Sequence, residues 1–339
     1  MILDVQAFID ILWFLVAVVV FPGFLFTFLA ALLNQWYTRK VFARMQNRIG
    51  PKYVGLSGVL QPFYDFLKLL SKESITPKFG RSRLYVLFIG IGIGSCISTL
   101  LFLPISPFRI QSSFDVIIFI YLGLWSSVAF AIAGLMFPNM FSSIGVSRLL
   151  MLMFVFEPAW VISLLTPVVL VSKSSGVLSF SVAETVERFS VIWSNPIYLV
   201  LTLVSFAAAL VSLQCRLGLQ PFDIFEADSE ILAGVFTEFS GVKLALASLF
   251  HDIEMFVGAF LIVFLFLGGA FPFSLNLAQF SIDTLVGILV IVVKFLLVVL
   301  VLVAVKASSA RYRIDQAVSF FFKYPLLIAL AALIIATIV

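Results

Sequence analysis

The sequence predicts an all-α integral membrane protein, a bundle of eight transmembrane helices with one amphipathic helix at the membrane surface. Two observations support this fold class. Of the 339 residues, 63% are hydrophobic and only 11% are charged, and the hydrophobic residues form eight runs long enough to cross a bilayer. Soluble domains contain about 45–50% apolar and about 25% charged residues, so the composition excludes a soluble enzyme. A transmembrane β-barrel would show short segments of alternating hydrophobicity instead.

The eight predicted spans follow one another along a single membrane domain that covers residues 1–339. Each contains about 20 mostly apolar residues, the length at which a helix crosses the hydrocarbon core. The first span is not a cleavable signal peptide, because it is too long and because Asp4 and Asp10 stand where such a peptide carries basic residues. The spans are residues 9–33, 84–104, 115–138, 147–171, 197–213, 243–267, 283–305 and 323–339.

The segment 59–72, between the first two spans, has the pattern of an amphipathic helix. Its apolar residues Phe63, Phe66, Leu67 and Leu70 form one stripe, and its charged residues lie elsewhere on the helix. A helix of this kind lies at a membrane surface or covers a cavity.

Lysine and arginine are unevenly distributed among the loops, which predicts the orientation of the chain. Loop 34–83 contains ten of the 21 basic residues, and the other loops on its side contain seven, against three on the opposite side. Because inner loops carry the excess of these residues, we expect the loops 34–83, 138–147, 214–242 and 306–322 on the inner side. The net charge of +4 follows from this asymmetry and predicts no nucleic-acid partner.

Six ionisable residues lie inside the predicted spans or at their ends. They are Glu157, His251, Asp252, Glu254, Lys294 and Arg148. An ionisable group at the centre of a bilayer costs at least about 2–3 kcal/mol, so these residues are functional candidates. Acids, a histidine and a lysine on three spans are what a proton or ion relay needs, and we predict that role for them. Buried structural ion pairs are the alternative for each residue taken singly.

The inner loop 214–242 is unusual because it is acidic on a side that is otherwise basic. Its acids are interleaved with large apolar residues, so we expect the loop to fold back against the bundle or a partner and to act as a coupling loop. A solvated acidic loop is the alternative. The acids are Asp223, Glu226, Asp228, Glu230 and Glu238.

Few residues of this chain are able to bind a metal or a redox centre. Its two cysteines, Cys96 and Cys215, are far apart. They cannot supply the clustered ligands, about four, of an iron–sulfur cluster or a structural zinc site. The single histidine excludes a haem held by two histidines within the chain. We therefore predict that the chain itself binds no cofactor and no metal.

A series of different short motifs extends along nearly the whole chain. In loop 34–83 they are Arg39-Lys40, Met45-Gln46, Arg48, Gly50-Pro51, Gln61-Pro62, Asp65 and Lys68-Leu69. Further along they are Arg148 with Glu157 nine residues later, Pro221-Phe222-Asp223, Glu226, Ser229-Glu230, Glu238, Lys294, Lys306, Arg311-Tyr312-Arg313 and Asp315-Gln316. This colinear set resembles the subunit 1 family of respiratory complex I.

The chain departs from the complex I pattern at a few positions. Thr38 and Asp228 stand where that family has glutamate, Ala310 stands where it has proline, and His251-Asp252 replaces a glutamate of the sixth span. The segment 61–68 is also similar to the membrane anchor of energy-converting nickel–iron hydrogenases and of related membrane-bound sulfur reductases. Those enzymes take electrons from ferredoxin and need no quinone.

The resemblance implies a membrane anchor and coupling subunit, without a redox centre of its own, in an ion-translocating oxidoreductase complex of an energy-transducing membrane. Its partners would be redox-arm subunits with iron–sulfur clusters, together with antiporter-like membrane subunits. The hydrogenase or sulfur-reductase type is favoured. The alternatives are a quinone-site subunit of complex I, with quinone in the adjoining cavity, and a self-contained secondary ion transporter. The implied docking and cavity residues are Arg39, Lys40, Arg44, Arg48, Gln61, Asp65, Lys68, Lys306, Arg311, Arg313 and Asp315.

Overall fold

A computed structural model describes residues 13–105, 112–176, 179–273 and 282–339. Over these residues the protein is helical without strands, and eight helices are long and apolar enough to cross a membrane. The predicted fold class is therefore confirmed. The first residues of the predicted first span, including Asp10, lie outside the described residues, as does Asp4.

Thirteen helices follow one another in the described part of the chain after a short helical stretch at residues 13–19. They are α1 Phe24–Met45, α2 Gln61–Ser71, α3 Ser82–Leu101, α4 Asp115–Leu135, α5 Met140–Ser175, α6 Val182–Glu187, α7 Ser190–Ser194, α8 Pro196–Arg216, α9 Asp228–Ile231, α10 Val242–Leu267, α11 Ile282–Ser308, α12 Ile314–Lys323 and α13 Pro325–Ile338. The membrane spans are α1 with its preceding residues, α3, α4, α5, α8, α10, α11 and the pair α12–α13.

Helix α10 lies at the centre of the bundle. It packs against α1, α3, α8 and α11, and 83% of its most hydrophobic stretch is buried, against 33% for α11. A helix that is apolar on all sides is typical of such a central position. The polar residues His251, Asp252 and Glu254 are therefore carried into the middle of the protein by the most buried of the eight spans.

Helix α5 is the longest, with 36 residues, and extends beyond the predicted span 147–171 at both ends. Its start is capped by Asn139, whose side chain accepts a hydrogen bond from the backbone N–H of Phe141. It ends where Gly176 adopts a positive φ of 71°. Pro158 lies inside the helix directly after the buried Glu157. Because proline has no N–H, it removes one helical hydrogen bond beside this acid.

The last span begins earlier than the predicted residues 323–339. The amphipathic α12 precedes α13, and the two helices meet at Tyr324 and Pro325. Proline fits the first turn of a helix, where no backbone N–H is required, and therefore favours a new helix start at this position.

Candidate functional site

A cavity of about 640 Å³ lies between α1, α10, α11 and the segment 217–236. Its walls combine apolar residues with an unusual number of charged and polar ones. The charged and polar residues are Gln35, Thr38, Arg39, Gln220, Asp223, Glu226, Asp228, Ser248, His251, Asp252 and Lys306. Seven residues that the sequence predicts for three different roles thus face one space: Arg39, Lys306, Asp223, Glu226, Asp228, His251 and Asp252.

His251 and Glu226 meet in the wall of this cavity. The His251 Nε2 atom lies 3.3 Å from the Glu226 Oε1 atom, but the two are not aligned as a hydrogen bond, and neither atom has another hydrogen-bond partner among the described residues. The ring of Phe130 lies 4.8 Å from the imidazole ring and that of Phe236 lies 5.4 Å from it. The histidine therefore sits among aromatic rings with its Nε2 atom directed to an acid.

Burial determines the protonation of the cavity acids that lie outside the spans. The pKa of Glu226 is raised to about 8, chiefly by burial and then by the neighbouring Asp223, although Lys306 acts in the opposite direction. Burial also raises the pKa of Asp223, and the hydrogen bond from Arg311 lowers it. Glu226 is therefore an acid that binds and releases a proton near neutral pH, as a relay requires.

Asp252 faces a different neighbour from His251. It accepts a hydrogen bond from the Gln35 side chain of α1 at 2.7 Å, and it also lines a second cavity of about 260 Å³ between α1, α2 and α10. Adjacent helix residues point about 100° apart, which explains the separation. Arg39 lies at both cavities and pairs with Asp65 at 2.6 Å. Gln61 donates a hydrogen bond of 2.9 Å to the same aspartate.

A buried group of charges lies deeper in the bundle. The guanidinium of Arg216 contacts Glu254 through Nε at 3.0 Å and Glu157 through Nη1 at 3.7 Å. Ser126 donates a hydrogen bond of 3.2 Å to Glu254, and Ser127 donates one of 3.3 Å to Glu157. We call Arg216, Glu157 and Glu254 the buried triad.

Four of the six predicted relay residues are therefore divided between two places. His251 and Asp252 lie at the large cavity, whereas Glu157 and Glu254 belong to the buried triad. The two places are neighbours, because His251 and Glu254 are three residues apart on the same face of α10. The predicted single polar path is thus present only as two groups that α10 connects.

Two predicted relay residues lie elsewhere. Lys294 donates hydrogen bonds to the carbonyl oxygens of Leu267, Gly269 and Phe271 at 2.7, 2.9 and 2.8 Å, where α10 ends. The last carbonyls of a helix lack partners within the helix, and a lysine side chain satisfies them. Arg148 pairs with Glu230 at 2.6 Å, so it lies at the acidic loop. The structure brings neither residue to the buried triad.

The acidic loop is packed against the bundle. The side chains of Phe222, Phe225 and Val235 are fully or almost fully buried, and Arg148 donates a hydrogen bond of 3.2 Å to the carbonyl of Ile224. Gly234 permits the close packing, because its φ is +50° and a Cβ atom there would lie 2.0 Å from the carbonyl oxygen of Phe225. The interleaved apolar residues thus act as anchors for the loop.

The loop acids are held by partners on other elements. Arg311 pairs with Asp223 at 2.5 Å, and its guanidinium also donates a hydrogen bond of 3.1 Å to Ser229. Glu238 accepts a hydrogen bond of 2.6 Å from Asn139. The backbone N–H of Arg313, by contrast, donates a hydrogen bond to Gln316, because Arg313 lies at the start of α12.

The loop 34–83 and the adjoining ends of helices form an exposed surface that is both cationic and apolar. Lys40 donates a hydrogen bond of 2.7 Å to the carbonyl of Ser57, which holds the loop against α1. The apolar side chains Ile49, Tyr53 and Leu56 are between 80% and 92% exposed. Exposed charged residues predicted for docking lie at this surface or follow α11. They are Arg39, Arg44, Arg48, Lys68, Arg313 and Asp315.

Sequence reasoning misses three residues that build these sites. The predicted fifth span ends at residue 213, which leaves Arg216 in the inner loop, whereas α8 extends to Arg216 and carries it into the interior. Gln35 and Ser126 are the other two. Their polar side chains on predominantly apolar helices are the signal that the sequence offers.

In residues 13–105, 112–176, 179–273 and 282–339, no three His, Cys, Asp or Glu side chains are arranged so that they could hold a metal ion together. Cys96 and Cys215 are both free and buried. The charged groups of the two sites are acids, a histidine, arginines and a lysine, which bind and release protons or hold charges. The chemistry that the described residues support is therefore proton handling.

Comparison with known proteins agrees with these observations. A subunit of the NADH-quinone oxidoreductase of Brevibacillus brevis is 29% identical over 330 residues, which are 97% of this chain and 93% of that protein. A chain in the structure of the membrane-bound sulfane sulfur reductase, an archaeal respiratory membrane complex, superposes with a TM-score of 0.75. The two are 26% identical, and the match covers 92% of this chain and 96% of that one.

These similarities confirm the resemblance on which the functional expectations rest. The model of the NADH dehydrogenase family matches residues 15–337, almost the whole chain. Eight apolar helices make the chain a multi-pass integral membrane protein. By its sequence over this whole length, the chain is a member of the NADH dehydrogenase family.

Proposed function

We propose that this chain is the membrane anchor and coupling subunit of a complex I-like respiratory complex, of the hydrogenase or sulfur-reductase type. Two relatives, a subunit of a quinone oxidoreductase and a chain of a sulfur reductase, support the proposal that this chain belongs to such a complex. The observation that carries the coupling role is the position of a charged cavity one helical turn from a buried triad, on the central helix α10. Proton transfer between two such places requires that kind of proximity.

The redox arm binds at the inner side of the membrane in this proposal. The exposed cationic and apolar surface of the loop 34–83 suits a protein partner, because apolar side chains such as Tyr53 and Leu56 do not remain in water without cost. The arm carries the iron–sulfur clusters, and electrons remain in it. This chain contributes the cavity that adjoins the arm.

Coupling is electrostatic in this proposal. A change of charge at the arm acts first on the cavity acids Asp223, Glu226 and Asp228, which face the same space as Arg39 and Lys306. Glu226 takes up or releases a proton in response, and His251 lies 3.3 Å from it. The next acid along this face of α10 is Glu254, so the change in charge and protonation at the cavity acts on the buried triad. Antiporter-like neighbours receive it from there.

Quinone reduction in the large cavity is the second candidate, and the cavity itself favours it. Its volume of about 640 Å³ lies in the range of small-molecule sites. The lining fits the group: Gln35, Thr38 and His251 are able to bond ring oxygens, and Phe42 and Met255 are apolar. A bound quinone would supply a two-electron acceptor. These residues would hold its ring and exclude water.

Ion pumping per electron in membrane vesicles tests the coupling role. Glu157→Gln and Asp252→Asn keep size and hydrogen bonding but cannot titrate, so each should lower pumping per electron while the complex still assembles. Glu187→Gln is the matched control, since Glu187 is exposed in α6, away from both sites, and it should pump normally. Unchanged pumping in an assembled double variant would contradict the proposal.

Purification of the intact complex distinguishes the two candidates. A large soluble subunit with nickel-ligating cysteines indicates a hydrogenase, and NADH-oxidising partners indicate complex I. A quinone analogue that inhibits electron transfer and loses potency in a Gln35→Ala variant supports the second candidate. Electron transfer that is insensitive to quinone analogues leaves the ferredoxin-dependent type.

A further inference from the structure

The buried triad contains an uneven number of charges. Arg216, Glu157 and Glu254 are each more than nine-tenths buried. The guanidinium does not lose its proton in proteins. With both glutamates ionised the triad carries one net negative charge, and with one proton bound it is neutral. Because a net charge in the interior of a membrane protein is costly, the neutral arrangement is favoured.

One guanidinium serves both acids. Its Nε atom contacts Glu254 and its Nη1 atom contacts Glu157, each through the Oε1 atom of the acid. The Nη2 atom donates hydrogen bonds to the Ser126 hydroxyl at 3.1 Å and to the carbonyl of Gly123. The planar fork of arginine holds this arrangement, whereas a lysine ammonium is a single point of charge.

The backbone makes room for the guanidinium. A Cβ atom at Gly123 would lie 3.1 Å from both Nη1 and Nη2 of Arg216. The glycine therefore lets the guanidinium lie directly on helix α4, where Ser126 and Ser127 supply hydroxyl groups to the two acids. Three helices, α5, α8 and α10, supply the charges, and α4 supplies the polar floor beneath them.

Few other titratable groups face the triad from the surrounding helices. The Cys96 thiol of α3 lines a cavity of about 20 Å³ beside Arg216 and Glu254. Cys215 precedes Arg216 on α8, and His251 lies one turn before Glu254 on α10. The small cavity also borders Thr99, and its volume accommodates about one water molecule with polar neighbours.

We infer that Arg216 is a positioning residue that sets the proton occupancy of the Glu157–Glu254 pair at one. The proton leaves the carboxyl group of one glutamate for the carboxylate of the other, and the charge of Arg216 does not change. Both carboxyl groups contact the same guanidinium, which holds them close together for this transfer. The inference deepens the proposed function, since the transfer is one step of the proposed relay.

Infrared spectroscopy of the purified complete complex tests the inference, because protonated buried carboxyl groups have their own C=O stretching band. The wild type should show one such band from the triad. Glu157→Gln and Glu254→Gln should each remove it, since the remaining glutamate then forms a neutral pair with Arg216. A band that persists in either variant, or a wild type without this band, would overturn the inference.

Variants of the arginine provide the second measurement. Arg216→Gln removes the positive charge, so both glutamates should be protonated and the band should rise about twofold. Arg216→Lys keeps the charge and should keep one band. Arg188→Gln is the control, since Arg188 is an exposed arginine away from the triad, and it should leave the band unchanged. An assembled Arg216→Gln complex with the wild-type band would overturn the inference.

Pumping per electron in the same samples separates this inference from the proposed function. Loss of the band with normal pumping in Glu157→Gln means that the pair shares a proton but does not belong to the relay. In that case the proposed function fails and the proton count stands. Two protonated carboxyl bands from the triad in the wild type, together with lowered pumping in Glu157→Gln, mean that the inference fails and the proposed function stands.

Discussion

At the scale of single residues, the protein places acids where burial changes their protonation. Glu226 is the clearest case, because burial is the main cause that raises the pKa of its carboxyl group to about 8, and the opposing effect of Lys306 is smaller. A lysine and an arginine at the same cavity, Lys306 and Arg39, offset part of the charge of its four acids and form no ion pair with Glu226. The cavity is therefore responsive to an added charge.

Replacement of Glu226 should change the pH dependence of the complex. The folded protein holds the carboxyl group protonated below a pH of about 8, whereas the unfolded chain ionises it above its ordinary pKa of 4.5. Folding stability due to this group therefore falls as pH rises from 4.5 to about 8 and is constant above that range. We expect Glu226→Gln to flatten the fall in thermal stability over this range, measured in detergent at several pH values.

The matched control for this prediction is Glu187→Gln, which changes an exposed acid. It should keep the pH profile of the wild type. A Glu226→Gln profile that runs parallel to the wild-type profile across the whole range would show that Glu226 does not titrate there.

The ion pair between Arg311 and Asp223 is suited to a double-mutant cycle. Both side chains are partly buried, and the contact of 2.5 Å connects the acidic loop to the segment before α12. Arg311→Ala leaves the carboxylate without its partner and should destabilise the complex by about 1–3 kcal/mol. Arg311→Ala combined with Asp223→Asn should destabilise less than the sum of the single changes. Strict additivity in denaturant unfolding would exclude the pair as a stabilising contact.

At the scale of elements, α10 is held at both ends. At its start, Gly241 has a φ of +54°, and a Cβ atom there would lie 2.8 Å from the carbonyl oxygen of Lys72. At its end, Lys294 of α11 binds three carbonyl oxygens. Because α10 carries residues of both sites, these contacts at its ends hold the cavity and the buried triad in position against the neighbouring helices.

Removal of the lysine cap should weaken α10 without stopping the pump. Lys294→Met keeps much of the length and loses three charge-assisted hydrogen bonds, so three carbonyl groups near the end of α10 lose their partner. We expect a loss of about 1–3 kcal/mol in the free energy of unfolding. Pumping per electron should be normal in assembled complexes. Lowered pumping at unchanged stability would show instead that Lys294 belongs to the relay, the role that its position within an apolar span predicts from the sequence.

At the scale of the whole molecule, two described surfaces differ in character, one suited to lipid and the other to a protein partner. Helix α11 exposes a continuous apolar surface, including Leu289, Val293 and Leu297. The loop 34–83 and α2 expose cations beside apolar residues such as Tyr53. The first surface suits lipid tails, and the second suits a water-soluble partner, as expected for an anchor of a redox arm.

Cysteine labelling tests the docking surface in the assembled complex. Lys68→Cys on the exposed face of α2 should react with a water-soluble maleimide in the isolated subunit and be protected several-fold in the complex. Arg188→Cys, at another exposed position, should react alike in both. Equal labelling of Lys68→Cys in both samples would place the arm elsewhere.

Hydrophobicity and charge along the chain are sufficient to establish the class of the protein and most of its candidate residues. Hydrophobic length determines a membrane helix, because the bilayer leaves no other way to satisfy the backbone. Charges within apolar runs are evident without a structure, which is why Glu157, Asp252 and Glu254 stand out in the sequence. The family motifs add the anchor role.

Which of these charges meet depends on the packing of the helices. Contacts such as Arg216 with Glu157 join residues far apart in sequence on different helices, and no periodicity along the chain encodes the rotation of one helix against another. The position of Lys294 depends on where α10 ends beside α11, and so its separation from the acids is not evident from the chain. Helix formation depends on local sequence and can be predicted from it, whereas the pairing of buried charges is a property of the tertiary structure.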